Sequence, residues 1–179
     1  NADFKPAEGL RIKKVGYGTA NMLDGPAMSY KQAVESLEVG IEVLLDEIPV
    51  GLDIIATGDM GIANTTPSSA IIACLTGMEV SRVTGKGTGL DNSGWEKKVR
   101  VIEKVLKVNK PDSLKPLEVL AKVGGFEIGA IAGLCLAAAS RRIPVLIDGF
   151  VSTAAALIAT AIEPKVNGYL IASHISAEN

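Results

Sequence analysis

The sequence is poor in histidine, cysteine, aromatic residues and net charge, and each shortage removes a class of function. His174 is the single histidine, and the two cysteines, Cys74 and Cys135, sit in the apolar runs ACL and LCL. No histidine or second cysteine stands at ligand spacing. The cysteines therefore read as small core residues, not as metal ligands or a disulfide, which suits a reducing, cytoplasmic compartment. The formal charge is only −2, and the basic pairs Lys13-Lys14, Lys97-Lys98 and Arg141-Arg142 lie scattered among acids. They read as solvated edges and leave no electrostatic footprint for nucleic acid. The longest apolar run, residues 128–139, contains two glycines and is too short to span a bilayer. Asn1 opens no signal-peptide pattern; without an initiating Met, the chain reads as an excerpt of something longer.

The familiar phosphate fingerprints are missing too. No GK[ST] occurs, and after Gly16-Tyr17-Gly18 the third glycine of a dinucleotide-binding turn is replaced by Asn21. Both absences argue against a P-loop enzyme or an NAD-dependent dehydrogenase. Ser152 and Ser173 have no evident triad partners, which disfavours a hydrolase.

What is present is a globular chain of 179 residues, 47% hydrophobic and 21% charged, with 19 glycines and only 4% aromatics. That length supports one well-buried core. LRIKKV at 10–15 alternates apolar and polar residues and reads as a strand. Ser29-x-x-Gln32 is a capping box opening a helix with Val34, Leu37, Ile41, Leu44 and Ile48 on one face. LDIIAT at 52–57 reads as a buried parallel strand. A helix follows over 67–75 with Gly77 past its end. Ser93-x-x-Glu96 repeats the capping pattern before a helix carrying Val99, Ile102, Val105 and Leu106. Further helices are expected after Pro116, over 126–142 and over 151–162, with strands at 144–147 and 169–172. In the 126–142 helix, Gly129, Gly133 and Ala137 form a small-residue stripe for close packing against the sheet or a neighbour. The alternation predicts an α/β fold: a parallel, Rossmann-like sheet flanked by helices, in a single domain.

Three polar segments then occupy equivalent positions, each directly after a strand: GDMGIANTT at 58–66, Asp148-Gly149-Phe150, and SHISAE at 173–178. Ligands of open α/β sheets bind at the carboxyl ends of strands, so these loops are expected to line one crevice. Asn64, Thr65 and Thr66 stand at a helix start, where backbone N–H groups suit an anion. Gly85, Gly87 and Gly89 offer a nest of N–H groups to a phosphate, with Lys98 as the nearby positive charge. No residue set suggests a metal or a cofactor.

These strings resemble the nicotinate-nucleotide–dimethylbenzimidazole phosphoribosyltransferase family. The resemblance runs through GPAM (25–28), GDMGIANTT, TGKGTGLD (84–91), GWEKKV (94–99), VGGFEIGAIAG (123–133), PVLIDGFVSTAAAL (144–157) and SHISAE, in the family's order across essentially the whole chain. It implies a pentosyltransferase of cobalamin lower-ligand synthesis, acting as a homodimer. Phosphoribose would pass from nicotinate mononucleotide to 5,6-dimethylbenzimidazole, giving α-ribazole 5′-phosphate and nicotinate. By resemblance, Gly87, Thr88 and Lys98 hold the nucleotide phosphate, with Ser173 nearby. Gly61, Asn64, Thr65 and Thr66 face the nicotinate or ribose. Met60 walls the base pocket. Asp148, Gly149 and His174 join the substrate-binding set by their place after strands, with a hydrogen-bonded structural residue as the plainer reading of the lone His174.

Two departures qualify the resemblance. Asp59 stands where the family commonly has glutamate, one methylene longer; it is read as a supporting carboxylate, with an Asx-type loop residue as the plainer alternative. The family's catalytic base is a glutamate in a later G-E-G-[ST]-G loop. No such loop occurs here, so the main base is expected beyond Asn179. Residues 1–179 are thus expected to be the large domain without the small helical one, turning over poorly or not at all. The alternative is a non-catalytic nucleotide-binding or dimerising module of the same fold.

Overall fold

The computed structural model describes residues 3–87 and 89–174. In chain order the elements are α1 (Tyr30–Glu47), β1 (Ile55–Ala56), α2 (Thr65–Thr76), α3 (Asn92–Asn109), α4 (Pro116–Val123), α5 (Phe126–Ser140), β2 (Val145–Ile147), α6 (Phe150–Ile162) and β3 (Leu170–Ala172). Short 3-10 turns occupy Ile48–Val50, Val80–Val83 and Pro164–Tyr169.

The helix boundaries follow local chemistry. At the start of α1 the Ser29 hydroxyl accepts from the Gln32 N–H at 3.2 Å, and the Gln32 side chain accepts from the Ser29 N–H at 3.0 Å. Such a reciprocal cap contributes about 1 kcal/mol. Pro116 begins α4 at a position where its missing N–H costs nothing. Gly77 ends α2 in the left-handed conformation, φ +70°. The cap of α3 differs from expectation. Asp91, not Ser93, is the N-cap, its carboxylate accepting from Gly94 N at 2.7 Å. That N–H, with the Ser93 hydroxyl, holds the Asp91 carboxyl below its ordinary value.

The sheet is wholly parallel, ordered β1-β2-β3, with Ile55 opposite Val145 and Leu146 opposite Ile171. The β2–α6–β3 unit makes the second pairing, so the parallel α/β expectation holds. Only the central strand is buried: Val145 is inaccessible, whereas Ile54 beside β1 is 48% exposed and Ile171 in β3 is 47% exposed. The segment 52–57 is therefore a half-exposed edge strand of two ladder residues, not the buried strand its β-branched run suggested.

The LRIKKV segment is not a strand at all. Its polar alternation serves helix α1 instead. Arg11 reaches Asp46 at 2.7 Å and Glu47 at 2.5 Å, and Lys13 reaches Glu42 at 2.8 Å. The hydrogen bond to Glu42 holds the Lys13 ammonium above its usual value.

Core packing is tightest between α1 and α5. A Cβ on Gly40 would lie 1.8 Å from the Ala130 carbonyl oxygen, and one on Gly133 1.9 Å from the Leu37 carbonyl oxygen. The glycines at 129 and 133 thus face α1, neither the sheet nor a second subunit. This close approach also rotates the buried face of α1 to Ala33, Ser36, Leu37, Gly40 and Leu44. Of the expected row, Leu37 and Leu44 belong to it, while Val34, Ile41 and Ile48 flank it half-buried. The thiol of Cys135, fully buried on α5, is pushed up to about 12 by loss of solvent.

Because the atoms met at Gly40 and Gly133 are backbone, no side-chain rotation relieves the clash. Gly133→Ala is expected to destabilise the fold by about 2–3 kcal/mol in urea unfolding; an unchanged midpoint would contradict the packing described. The Cys135 thiol is expected to resist alkylation at pH 8 in the folded protein and to react at an ordinary rate in denaturant. Rapid labelling of Cys135 without denaturant would show that α5 is not buried.

Candidate functional site

Parallel pairing sends the chain out of all three strands at one edge, and hydrogen bonds hold the exits together. Thr57, after β1, donates its N–H to the Leu146 carbonyl at 2.9 Å. Its hydroxyl also donates to that carbonyl at 3.2 Å and accepts from Asp148 N at 3.3 Å. After β3, Ser173 donates both its N–H and its hydroxyl to the Ile147 carbonyl, at 3.0 and 2.9 Å. The Ser173 hydroxyl also lies within hydrogen-bond distance, 2.8 Å, of His174 Nδ1. The same Nδ1 lies 3.9 Å from the Asp148 carboxylate.

The loop after β1 is folded around one carboxylate. Asp59 Oδ2 accepts from Gly61 N at 2.6 Å and from Asn64 Nδ2 at 2.8 Å. This is an Asx turn with a second donor, so the plainer reading of Asp59 as a loop residue is realised alongside its place on the cleft. Gly61 at φ +69° and Ala63 at φ +65° both occupy the left-handed region. Ala63 has no glycine's freedom there, so this loop carries conformational strain, which is typical of ligand sites.

Lys98 forms the opposite corner. Its ammonium donates to Thr65 Oγ1 at 2.9 Å and to the Gly85 carbonyl at 3.1 Å. The glycine loop runs against it: a Cβ on Gly87, itself at φ +61°, would stand 3.6 Å from Thr65 Oγ1 and 3.7 Å from Lys98 Nζ. Helix α3 thereby delivers a cation to the first turn of α2, whose N-cap, Asn64, makes no side-chain capping bond. Such a helix start presents N–H groups and a positive dipole end.

Between these parts lies a cleft of about 220 Å³, lined by Asp59, Met60, Gly61, Thr65, Gly87, Asp148, Gly149 and the first turn of α6. Beyond Gly87 a second hollow of about 570 Å³ shares Thr65 and carries Thr66, Lys86, Lys97 and Lys98. Charge is thus divided, with carboxylates on one side of Gly87 and lysines on the other.

Most expected site residues meet here. Asn64 is buried behind the cleft, tied to Asp59. His174 stands beside Asp148, with its Nδ1 3.9 Å from that carboxylate, but Ser173 and His174 are not among the residues lining the cleft. Met60 lines the cleft from its lip, 83% exposed. Thr88 and the stretch from Ile175 to Asn179, which holds the rest of SHISAE, lie outside the described residues. The G-E-G-[ST]-G string expected to carry the main base does not occur in residues 1–179. Asp59 and Asp148 are the carboxylates that the cleft itself contains.

Sequence reasoning placed Phe150 at the crevice but missed Val151 and Ser152, which continue the first turn of α6 along the cleft. Two buried polar atoms among the described residues lack a hydrogen-bond partner, Asn64 Oδ1 and Ser152 Oγ. The legible signal for Ser152 was its place three residues after Gly149, at a helix start following a strand. No grouping of His, Cys, Asp and Glu suited to a metal ion occurs among the described residues.

Comparison with known proteins identifies the family and the fold. The family model described as phosphoribosyltransferase matches residues 1–179. The nicotinate-nucleotide–dimethylbenzimidazole phosphoribosyltransferase of Desulforudis audaxviator (strain MP104C) is 62% identical over 169 residues, covering 94% of this chain and 48% of that protein. The enzyme of the same name from Geotalea uraniireducens (strain Rf4) is 54% identical over 176 residues, 98% of this chain and 50% of its own length. The crystal structure of CobT from Thermus thermophilus superposes with a TM-score of 0.91 at 36% identity, over 99% of this chain and 53% of that one. The chain therefore spans about half the length of the curated relatives it matches.

If Asp59 holds the loop, Asp59→Ala is expected to raise amide hydrogen exchange at Gly61 and to cost about 1 kcal/mol in stability. Asp59→Asn, which keeps an acceptor oxygen, is expected to lose less. Unaltered exchange at Gly61 in the alanine variant would rule out this anchoring role.

Proposed function

Because the chain belongs to the phosphoribosyltransferase family, we propose that the protein of which these residues form a part moves phosphoribose from nicotinate mononucleotide to 5,6-dimethylbenzimidazole. The products are α-ribazole 5′-phosphate, the lower-ligand nucleotide of cobalamin, and nicotinate. The observation that carries this reading is the division of charge across Gly87. Nicotinate mononucleotide has a phosphate at one end and a cationic pyridinium-bearing sugar at the other. Lys98 and Gly87 suit the phosphate, while Asp59 and Asp148 line the adjoining cleft on the other side of Gly87.

The chemistry follows from that orientation. Nicotinate leaves from a pyridinium, so the C1′–N bond breaks with its electron pair returning to a neutral ring nitrogen, and no acid is required. Positive charge grows on the ribose as the bond stretches, and fixed carboxylates nearby stabilise it. A benzimidazole nitrogen attacks C1′ from the opposite face and inverts it, giving the α product. The proton on its other nitrogen passes to a general base. By family resemblance that base is a glutamate in a G-E-G-[ST]-G loop, which residues 1–179 do not contain.

On this reading, residues 1–179 are the nucleotide-gripping part of the large domain, and the remainder of the polypeptide adds the base and the small helical domain. Asn64, Thr65, Thr66 and Gly61 then face the ribose or nicotinate, Met60 flanks the aromatic acceptor, and Thr88, Gly149, Ser173 and His174 complete the enclosure. Homodimeric assembly and a cytoplasmic location belong to the same proposal. Two free cysteines support the location. No described helix is long and apolar enough to cross a membrane.

The 179-residue chain is expected to bind nicotinate mononucleotide yet release nicotinate at no more than a trace rate in a coupled assay with dimethylbenzimidazole. Full turnover by this chain alone would contradict the missing base. In the longer polypeptide, Lys98→Met is expected to raise KM for nicotinate mononucleotide about tenfold to a hundredfold, the loss of a charge-assisted hydrogen bond. A KM that stays at the wild-type value would remove Lys98 from the phosphate site.

A further inference from the structure

We propose that Ser152 reads the sugar of the bound nucleotide, its hydroxyl pairing with a ribose hydroxyl and so selecting ribose over deoxyribose. The inference rests on the nucleotide reading of the cleft and adds to it a residue that the sequence motifs did not single out for binding. Ser152 is 1% exposed, lines the cleft, and its Oγ has no hydrogen-bond partner. A buried hydroxyl left unpaired is costly, and native structures supply such groups with a partner. The neighbouring hydroxyl shows the usual internal solution: Thr153 Oγ1 donates to the Gly149 carbonyl one turn back at 2.9 Å. Ser152 makes no such bond, and the residue forms part of the cleft wall.

The surroundings decide what that partner is. Asp59 and Asp148 line the same cleft, so a phosphate dianion beside Ser152 would be repelled, and the lysines that suit it stand beyond Gly87. Carboxylates only accept hydrogen bonds, whereas a serine hydroxyl can donate as well. A sugar hydroxyl satisfies both kinds of neighbour at once, donating to a carboxylate and accepting from Ser152. Gly149, the N-cap of α6, has no side chain to cap the helix, which leaves the first-turn N–H groups of this 13-residue helix available to polar oxygens of the ligand.

The test compares kcat/KM for nicotinate mononucleotide and for its 2′-deoxy and 3′-deoxy analogues in the longer polypeptide, with wild type, Ser152→Ala and Ser152→Cys. Ser152→Ala is expected to lose about tenfold on the ribonucleotide, through KM. It should lose nothing on the one deoxy analogue that lacks the paired hydroxyl, and its thermal midpoint should be unchanged or higher without ligand. Ser152→Cys keeps the volume with a weaker donor and should fall between; it decides the matter if the alanine variant does not fold. Equal loss on all three nucleotides, or a lower midpoint with unchanged KM, would make Ser152 a structural residue and overturn the proposal. Failure of the wild type itself to bind nicotinate mononucleotide would overturn the functional reading and this inference together.

Discussion

Two carbonyl groups on the central strand hold the site in place. The oxygen of Leu146 takes both the N–H and the hydroxyl of Thr57, and that of Ile147 takes both the N–H and the hydroxyl of Ser173. Strands of two and three residues offer little ladder of their own, so these doubled bonds at their carboxyl ends do much of the registering. They fix where the Asp59 loop and the Ser173-His174 segment leave the sheet. The Asp148 N–H, bonded to the Thr57 hydroxyl, ties the middle loop to the first. β2 can serve as this anchor because Val145 and Ile147 are buried, and the helical layer around it closes through the glycine-lined approach of α1 to α5. A packing constraint far from the rim thus reaches the rim through one short strand.

Much of the fold could be read from residues whose local chemistry admits few alternatives. Ser29 with Gln32, Pro116 and Gly77 each mark a helix end for a stated reason, and each end lies where that reason puts it. What could not be read depended on partners distant in sequence. The alternation of LRIKKV is the same whether its charged side chains face water from a strand or reach acids on α1, and Asp46 and Glu47 are more than thirty residues away. Asp91 and Ser93 are both good caps, and spacing alone does not choose between them. The glycine stripe announces a close approach without naming what approaches; Gly40, its counterpart on α1, lies nearly ninety residues earlier.

The same division applies to the site. A topological rule brought Asp59, Asp148 and His174 together from strand order alone, and the geometry keeps Asp148 beside His174. The double role of Asp59, loop anchor and cleft carboxylate, needed the positions of Gly61 and Asn64. Ser152 was visible as a serine without a triad, three residues after Gly149 at a helix start. Its importance lies in burial and an unfilled hydrogen bond, which are properties of the packed molecule and leave no mark on composition or spacing.

The proposed reaction also separates into parts that need not reside in one stretch of chain. Gripping the phosphate and stabilising the departing sugar require fixed charges and backbone donors, and under the proposed reading residues 1–179 supply them. Activating the acceptor requires a base on the far face of the sugar, a role that none of the described residues takes in this scheme. Phosphate contacts lie remote from the breaking bond, so their energy raises the rate only when it is used to hold C1′ between leaving group and nucleophile. With the base elsewhere, the same contacts can only bind. On the proposed scheme, a chain spanning half the length of its relatives would retain affinity for the nucleotide while losing turnover, because the groups assigned to recognition are not the ones assigned to transfer.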